Sequence, residues 1–283
     1  MSVTTPSRPP ARGLNALSDL SAHVVAVMER GGADIAQLGV PAQPASEDGL
    51  WEDLAVPKAR AARNAWRNSM LDAAHDEYLD FRFPSLVPGA IAPAGERWLE
   101  PNQKPNTMRN WLGSLLEAKK QKARPEVLNM IVPGNIGTGK TAAICALGNE
   151  AAAAGLSTLY VKHATYLTYR RPNSAPHNLS VHDVRRMFVS CELLILDELC
   201  GEMDTTATEA ARRETVDLID SRLAAGRPTA FSTNLKSRSE PGSGTIGVVD
   251  VLGERLLSRL EARAHLVKIL GEDRRKPAKP LDW

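Results

Sequence analysis

Gly134-Asn135-Ile136-Gly137-Thr138-Gly139-Lys140-Thr141 is the stretch whose reading decides the fold. It matches GxxxxGK[ST] in full, and both flanks agree with it: the apolar run Leu128-Asn129-Met130-Ile131-Val132 precedes it and an alanine-rich stretch follows. A strand feeding a glycine-rich turn that opens a helix lets the backbone wrap closely, so that N–H groups and the helix N-terminus face phosphate oxygens. In such a loop Lys140 reaches the β and γ phosphates, and the Thr141 hydroxyl is offered to Mg²⁺.

Working outward, short apolar runs alternate with helical stretches. Strands are predicted at 127–132, 157–162, 193–197, 229–233 and 265–270, with helices at 139–154, 181–188, 209–225 and 248–262 between and after them. That alternation implies an α/β fold with a parallel sheet flanked by helices. The run Leu193-Leu194-Ile195-Leu196 reads as a buried strand ending in Asp197-Glu198. Buried parallel strands open their C-terminal ends to the ligand crevice, so Asp197 would emerge beside a nucleotide's Mg²⁺ and Glu198 beside an attacking water. The strand at 229–233 ends in Asn234, which could contact that water or the γ-phosphate, although Asn is also a common turn residue. In Gly253-Glu254-Arg255-Leu256-Leu257-Ser258-Arg259-Leu260 the two arginines stand four apart on one helical face. They are either a solvated or internally paired basic face, or a donor fork aimed at a neighbouring subunit's nucleotide.

With these elements in order, GNIGTGKT, LLILDEL, RPTAFSTN and GERLLSRL, the chain resembles the AAA+ ATPases of the bacterial helicase-loader and transposition-helper branch typified by DnaC, DnaI and IstB. The likeness runs from about Pro105 to Arg275. It implies a P-loop AAA+ core that binds ATP and Mg²⁺, with Gly134 to Thr141 as Walker A and Asp197 and Glu198 as Walker B. It further implies Asn234 as sensor 1, Arg259 as the arginine finger with Arg255 as companion, and Arg275, or Arg274, as a sensor 2-like contact. Few residues follow the last strand, so no C-terminal helical lid is expected.

The chain has 283 residues with 43% hydrophobic and 24% charged side chains, which excludes a disordered or disulfide-stapled class. Residues 1–13 read as a disordered lead-in, 14–83 as a small, mainly helical adaptor domain, 84–105 as a proline-rich linker, 106–276 as the ATPase domain and 277–283 as a tail. The formal charge of +2 conceals an asymmetry, since residues 1–105 carry 10 basic and 13 acidic side chains and the remainder 25 and 20. Three scattered cysteines read as reduced thiols, and no apolar run reaches the ~18 residues of a membrane span, so a cytoplasmic protein is expected.

The expected function is an oligomeric, ATP-hydrolysing loader of the replicative hexameric helicase onto single-stranded DNA in replication. An IstB-like helper of a DNA transposase is the alternative; a nucleotide-gated switch and a small-molecule kinase are more distant rivals. Tyr166, Tyr169, Arg170 and Arg171, with Arg185 and Arg186 beyond them, are the candidates for stacking bases and neutralising phosphates. The competing reading packs the tyrosines against the sheet. Trp66, Tyr78, Phe81 and Phe83 are either anchors for the helicase or the small domain's own core.

Overall fold

The computed structural model describes residues 47–83, 106–201, 207–239, 242 and 245–273, with residues 47–57 as helix backbone only. Contacts group the chain into two units, Met1–Leu54 and Ala55–Trp283, and of the first unit only the start of a helix is described.

Strands β1 (Asn129–Pro133), β2 (Thr158–Lys162), β3 (Leu193–Asp197), β4 (Thr229–Thr233) and β5 (Ala264–Leu266) form one parallel sheet in the order β2-β3-β4-β1-β5. Pro133 is in register with Thr233 and Lys162 with Asp197, so the C-terminal ends of four strands reach one edge. Successive side chains point to opposite faces. Leu193 and Ile195 therefore enter one buried cluster, and Leu194 and Leu196 the other. Both faces are covered, which is why β3 is apolar throughout rather than alternating.

The helices are α1 (Glu47–Asp72), α2 (Asn106–Lys120), α3 (Lys140–Ala153), α4 (His163–Tyr169), α5 (Val181–Ser190), α6 (Glu209–Ala224), α7 (Val248–Leu252) and α8 (Glu254–Glu261). The first cluster joins Trp66 and Met70 of α1, Trp111 and Leu115 of α2 and Ile144 of α3; the second joins residues of α4 to α8. This is the P-loop AAA+ arrangement anticipated from the sequence.

Three elements differ from expectation. The helix foreseen at 248–262 is two helices, because Gly253 takes φ 90° and breaks the ladder. Helix α2 was not foreseen, although Met108, Trp111, Leu112 and Leu115 carry its i, i+3, i+4, i+7 pattern and are buried. The last strand is shorter than 265–270, with Ile269 bridging Gly134 separately.

The boundary drawn at 84–105 is not where contacts divide, since residues 55–83 belong to the same unit as the parallel sheet. Ala62, Trp66 and Met70 are buried, and the Trp66 indole N–H donates to Asn149 Oδ1 at 2.6 Å. The Asn149 amide in turn donates to the carbonyls of Tyr78 at 2.7 Å and Phe81 at 2.8 Å. A Cβ on Gly148 would come within 2.1 Å of the Trp66 ring, so a residue without a side chain is what lets the indole reach α3. Trp66 and Phe83 thus fill the core beneath the sheet, with Tyr78 and Phe81 packed against it, and are not free anchors.

Residues 14–46 of the expected adaptor domain, the segment 84–105, and Arg274 and Arg275 lie outside the described residues. Cys145, Cys191 and Cys200 are buried free thiols. Among the described residues no helix is long and apolar enough to cross a membrane.

Candidate nucleotide site

The site is assembled at the sheet edge where the strands end. The loop from Gly134 to Gly139 leaves β1, and α3 begins at Lys140 with Gly139 before it at φ 99°. A side chain at Gly134 would come within 2.4 Å of the Ile269 carbonyl oxygen, so the loop lies tight against the chain that follows β5. Thr138 donates to the Asn135 carbonyl at 2.9 Å, and so does the Lys140 ammonium at 2.6 Å. Gly137 takes φ 74° and lies under the Asp273 carboxylate, while Ile136 is exposed at the loop's tip.

Asp197 is the centre of the constellation. It is fully buried, and its carboxylate accepts hydrogen bonds from the Thr141 hydroxyl at 3.0 Å, the Tyr160 phenol at 2.6 Å, the Glu198 N–H at 3.0 Å and the Ser232 hydroxyl. Donors from β2, β4 and α3 therefore converge on one carboxylate at the end of β3. A buried carboxylate is tolerated only when so satisfied. Tyr160, which no sequence pattern marks, is a member of this set. Burial, and then the Asp197 charge, push its phenol well above the ordinary tyrosine range, so it stays a donor.

Glu198 adopts φ 53°, a left-handed conformation uncommon outside glycine that clusters at functional sites. Its carboxylate faces Lys162, the last residue of β2, at 3.4 Å, and both side chains are part-exposed. Its N–H also reaches Ser232 Oγ at 2.9 Å. Asn234 is exposed at the end of β4. A cavity of about 840 Å³ opens beside it, lined by Gly134, Asn135, Thr233, Asn234, Arg238, Lys268 and Leu270 among others. That volume suits a small organic ligand.

The residue types fit ATP and Mg²⁺. The loop is tight and rich in N–H groups, Lys140 supplies a cation, and Thr141 Oγ and Asp197 Oδ2 stand 3.0 Å apart as an oxygen pair of the hard kind that Mg²⁺ takes.

The structure does not bring every expected residue into this network. Arg259 lies on α8 and forms an ion pair with Asp220 of α6, with a further bond to the Arg255 carbonyl at 3.2 Å. Its pairing partner is thus neither Glu254 nor Glu261. Glu254 instead takes a bidentate hold on Arg238, and Arg255 is exposed.

The expected DNA-contacting group is corrected in part. Tyr166 is fully buried, edge-on to Phe188 with ring centroids 5.7 Å apart, and cannot stack on a base. Arg170 is held by Glu214 at 2.7 Å, and Arg185 by Asp217 at 2.6 Å. Tyr169 is half-buried and Arg171 exposed. The i, i+3 spacing of the tyrosines marks a packed helix face. His163, which opens α4, is also buried: its Nε2 bonds Thr215 Oγ1 at 2.9 Å and its Nδ1 accepts from the Cys200 N–H at 3.4 Å. Burial lowers its pKa to about 4.

A family model described as IstB-like ATP binding protein matches residues 124–281, more than half of the chain. The chain belongs to the IstB-like ATP-binding protein family. In this IstB-like chain the match spans β1 to β5 and hence every element of the site above. Among solved structures it is similar to DnaI, at 18% identity over 70% of this chain and 93% of that one, TM-score 0.49. It is similar to the DnaC helicase loader at 17% identity over 62% and 97% of the two chains, TM-score 0.41. It is also similar to AMPPCP-bound DnaA from Aquifex aeolicus, at 19% identity over 68% of this chain and 50% of that one, TM-score 0.48. The chain thus spans about half the length of that DnaA structure. A comparison with curated proteins finds no match.

Proposed function

We propose that this chain is a Mg²⁺-dependent ATPase that works as an oligomer on DNA, as a loader of a replicative helicase onto single strands. The observation that carries the ATPase part is the buried Asp197 carboxylate, tied to Thr141 of the P-loop and followed directly by Glu198. Lys140 and the loop N–H groups bind the β and γ phosphates, Lys140 leaving the Asn135 carbonyl to do so. Held by Thr141 and Asp197, Mg²⁺ would neutralise charge on the phosphate oxygens.

Glu198, released from Lys162, accepts a proton from water as the water oxygen bonds to the γ-phosphorus. The bond to the bridging oxygen breaks and ADP leaves. Asn234 orients that water or reads the γ-phosphate. Arg259, with Arg255 as companion, is supplied to the nucleotide of a neighbouring copy by exchanging Asp220 for phosphate; Arg275, or Arg274, contacts nucleotide within its own chain. Residues 14–54 are the part we assign to the protein partner, because residues 55–83 are committed to the ATPase core.

The second reading, an IstB-like helper that remodels duplex DNA for a transposase, is favoured by a specific observation: the buried Tyr166 and paired Arg170 remove two of the expected single-strand contacts.

Turnover assays test the ATPase reading. Lys140→Ala loses nucleotide binding, and Arg259→Ala binds ATP but does not turn it over. Mixing the two restores turnover, because each supplies what the other lacks. Wild-type turnover by Arg259→Ala alone would refute the trans assignment. Co-purification with a hexameric helicase supports loading, and stimulation by duplex DNA and a transposase supports the helper.

A further inference from the structure

Strand β2 is an edge of the sheet, paired with β3 alone among the described strands. Alternate residues of a strand turn their N–H and C=O to opposite sides. The Ser157 carbonyl accepts the Leu193 N–H, so Ser157, Leu159 and Val161 face β3, while Thr158, Tyr160 and Lys162 face outward. The outward Tyr160 N–H donates to Ser69 Oγ of α1 at 3.0 Å. Beyond that bond the edge is open. The Tyr160 carbonyl and the Lys162 N–H have no hydrogen-bond partner among the described residues. Main-chain groups inside a fold are nearly always matched, and Tyr160 is only 2% exposed.

This open stretch borders a cavity of about 270 Å³ between α1, β2, α4 and α5. Its apolar wall includes Ala65, Leu159, Val161, Leu179, Met187 and Phe188. Tyr160 also lines it, although its ring lies on the opposite face of the sheet against Trp66, so the cavity meets Tyr160 along the main chain. Asp72 and His177, 3.4 Å apart, belong to the same lining and are the solvent-exposed pair there.

We propose that this slot docks an extended peptide of a protein partner, which places one apolar side chain in the cavity. The N–H of that residue donates to the Tyr160 carbonyl, and its C=O accepts from the Lys162 N–H. In a parallel ladder one residue makes both bonds, to the two residues that flank the one it faces, here Val161. Main-chain bonds to a sheet edge combined with a side-chain pocket are a general mode of peptide capture. Only one rung is available, because α1 closes the edge at the Tyr160 N–H and the chain leaves the sheet at Lys162, the N-cap of α4. The volume falls below the ~300–1,000 Å³ that encloses a drug-sized ligand, so it admits a side chain rather than a nucleotide. The Asp72 carboxylate disfavours a nucleic-acid phosphate at the same place. The slot uses the main chain of β2, not the side chains that face the nucleotide, and stands whether or not the ATPase reading holds.

The test is a titration of acetyl-Ala-Leu-Ala-amide, to millimolar concentration, into the full chain isotope-labelled at lysine nitrogen, with the Lys162 amide resonance identified through Lys162→Arg. That resonance should move downfield and saturate. The same peptide methylated on the Leu nitrogen lacks the donor to Tyr160 and should bind at least about 10-fold more weakly. Ala in place of the peptide's Leu should cost at least about 10-fold as well, since the apolar burial is lost. Met187→Trp, which fills the cavity, should abolish the shift; the three peptide comparisons use the unaltered chain and decide the matter if that variant does not fold. The absence of a saturable shift would overturn the proposal, as would equal binding of the methylated or the Ala peptide. Saturation of the Lys162 amide by thymidine or a short oligonucleotide, with none by the Leu peptide, would overturn it too.

Discussion

Replacing Tyr160 by Phe isolates one atom of the site. The phenol donates to Asp197 Oδ2 at 2.6 Å in a fully buried setting, and the ring stands edge-on to Trp66 and His75 at 6.3 and 5.3 Å between centroids. Phe preserves the ring and those contacts, so no cavity term enters. A hydrogen bond to a charged acceptor contributes roughly 1.5–3 kcal/mol, and here the group left short of a donor is a buried carboxylate. For a unit of this size that corresponds to a fall in Tm of about 3–12 °C in a thermal melt. Thr141, Ser232 and the Glu198 N–H still hold Asp197, so the protein folds, but its Oδ2 keeps the Thr141 hydroxyl alone of its two donors and is less firmly positioned. Loss of an outer hydrogen bond to a metal-holding carboxylate costs ~10- to 100-fold in metal affinity. The Mg²⁺ concentration for half-maximal ATP turnover should therefore rise at least about 10-fold. A Tm within about 1 °C of wild type with an unchanged Mg²⁺ titration would refute the claim that Tyr160 positions Asp197.

Other perturbations have equally definite outcomes. His163 has a folded pKa of about 4 against an unfolded value near 6.5, so the unfolded chain takes the proton first. Its contribution is complete above about pH 6.5 and is lost as pH falls from there to about 4, by about 3 kcal/mol in all; in urea melts across that range His163→Gln should lose this dependence, and an identical slope would refute it. Arg222 is fully buried and donates to the carbonyls of Phe188, Val189, Cys191 and Pro228 and to Thr229 Oγ1, with no carboxylate among these partners. Arg222→Met strands several buried acceptors at ~1–3 kcal/mol each and should leave little soluble protein, whereas a Tm drop under about 3 °C would show the carbonyls find other donors. Asp220→Asn releases Arg259 from a part-exposed pair, so stability should move by less than about 1 kcal/mol while turnover by the assembled protein holds or rises. Turnover as low as that of Arg259→Ala would instead make the pair part of the active form.

Much of the site was legible because its signals are local. The P-loop, the apolar β3 ending in Asp197-Glu198, and β4 are each contiguous, and the limits of β3 and β4 coincide with expectation. A buried parallel strand declares itself by composition, and a loop shaped around phosphate declares itself by glycine spacing. Gly253 was a visible break inside a predicted helix, and α2 had a readable apolar period, so both could have been found. Tyr160 could not, since a tyrosine in an apolar strand gives no sign of which face its hydroxyl will reach.

The sequence by itself determined the chemistry available here: a phosphate loop, an acidic strand end and a basic helix, each specified by neighbours a few residues apart. Only the tertiary structure decided how the charged and aromatic side chains were spent. Arg259 meets Asp220, Arg170 meets Glu214, and Trp66 meets Asn149 across 83 residues, while Tyr166 is turned into the core and the arginines of α1 are left outside. Pairing is a property of distance in space, and a side chain's role at this protein's surface depends on which carboxylate or ring the fold carries to within a few ångströms of it.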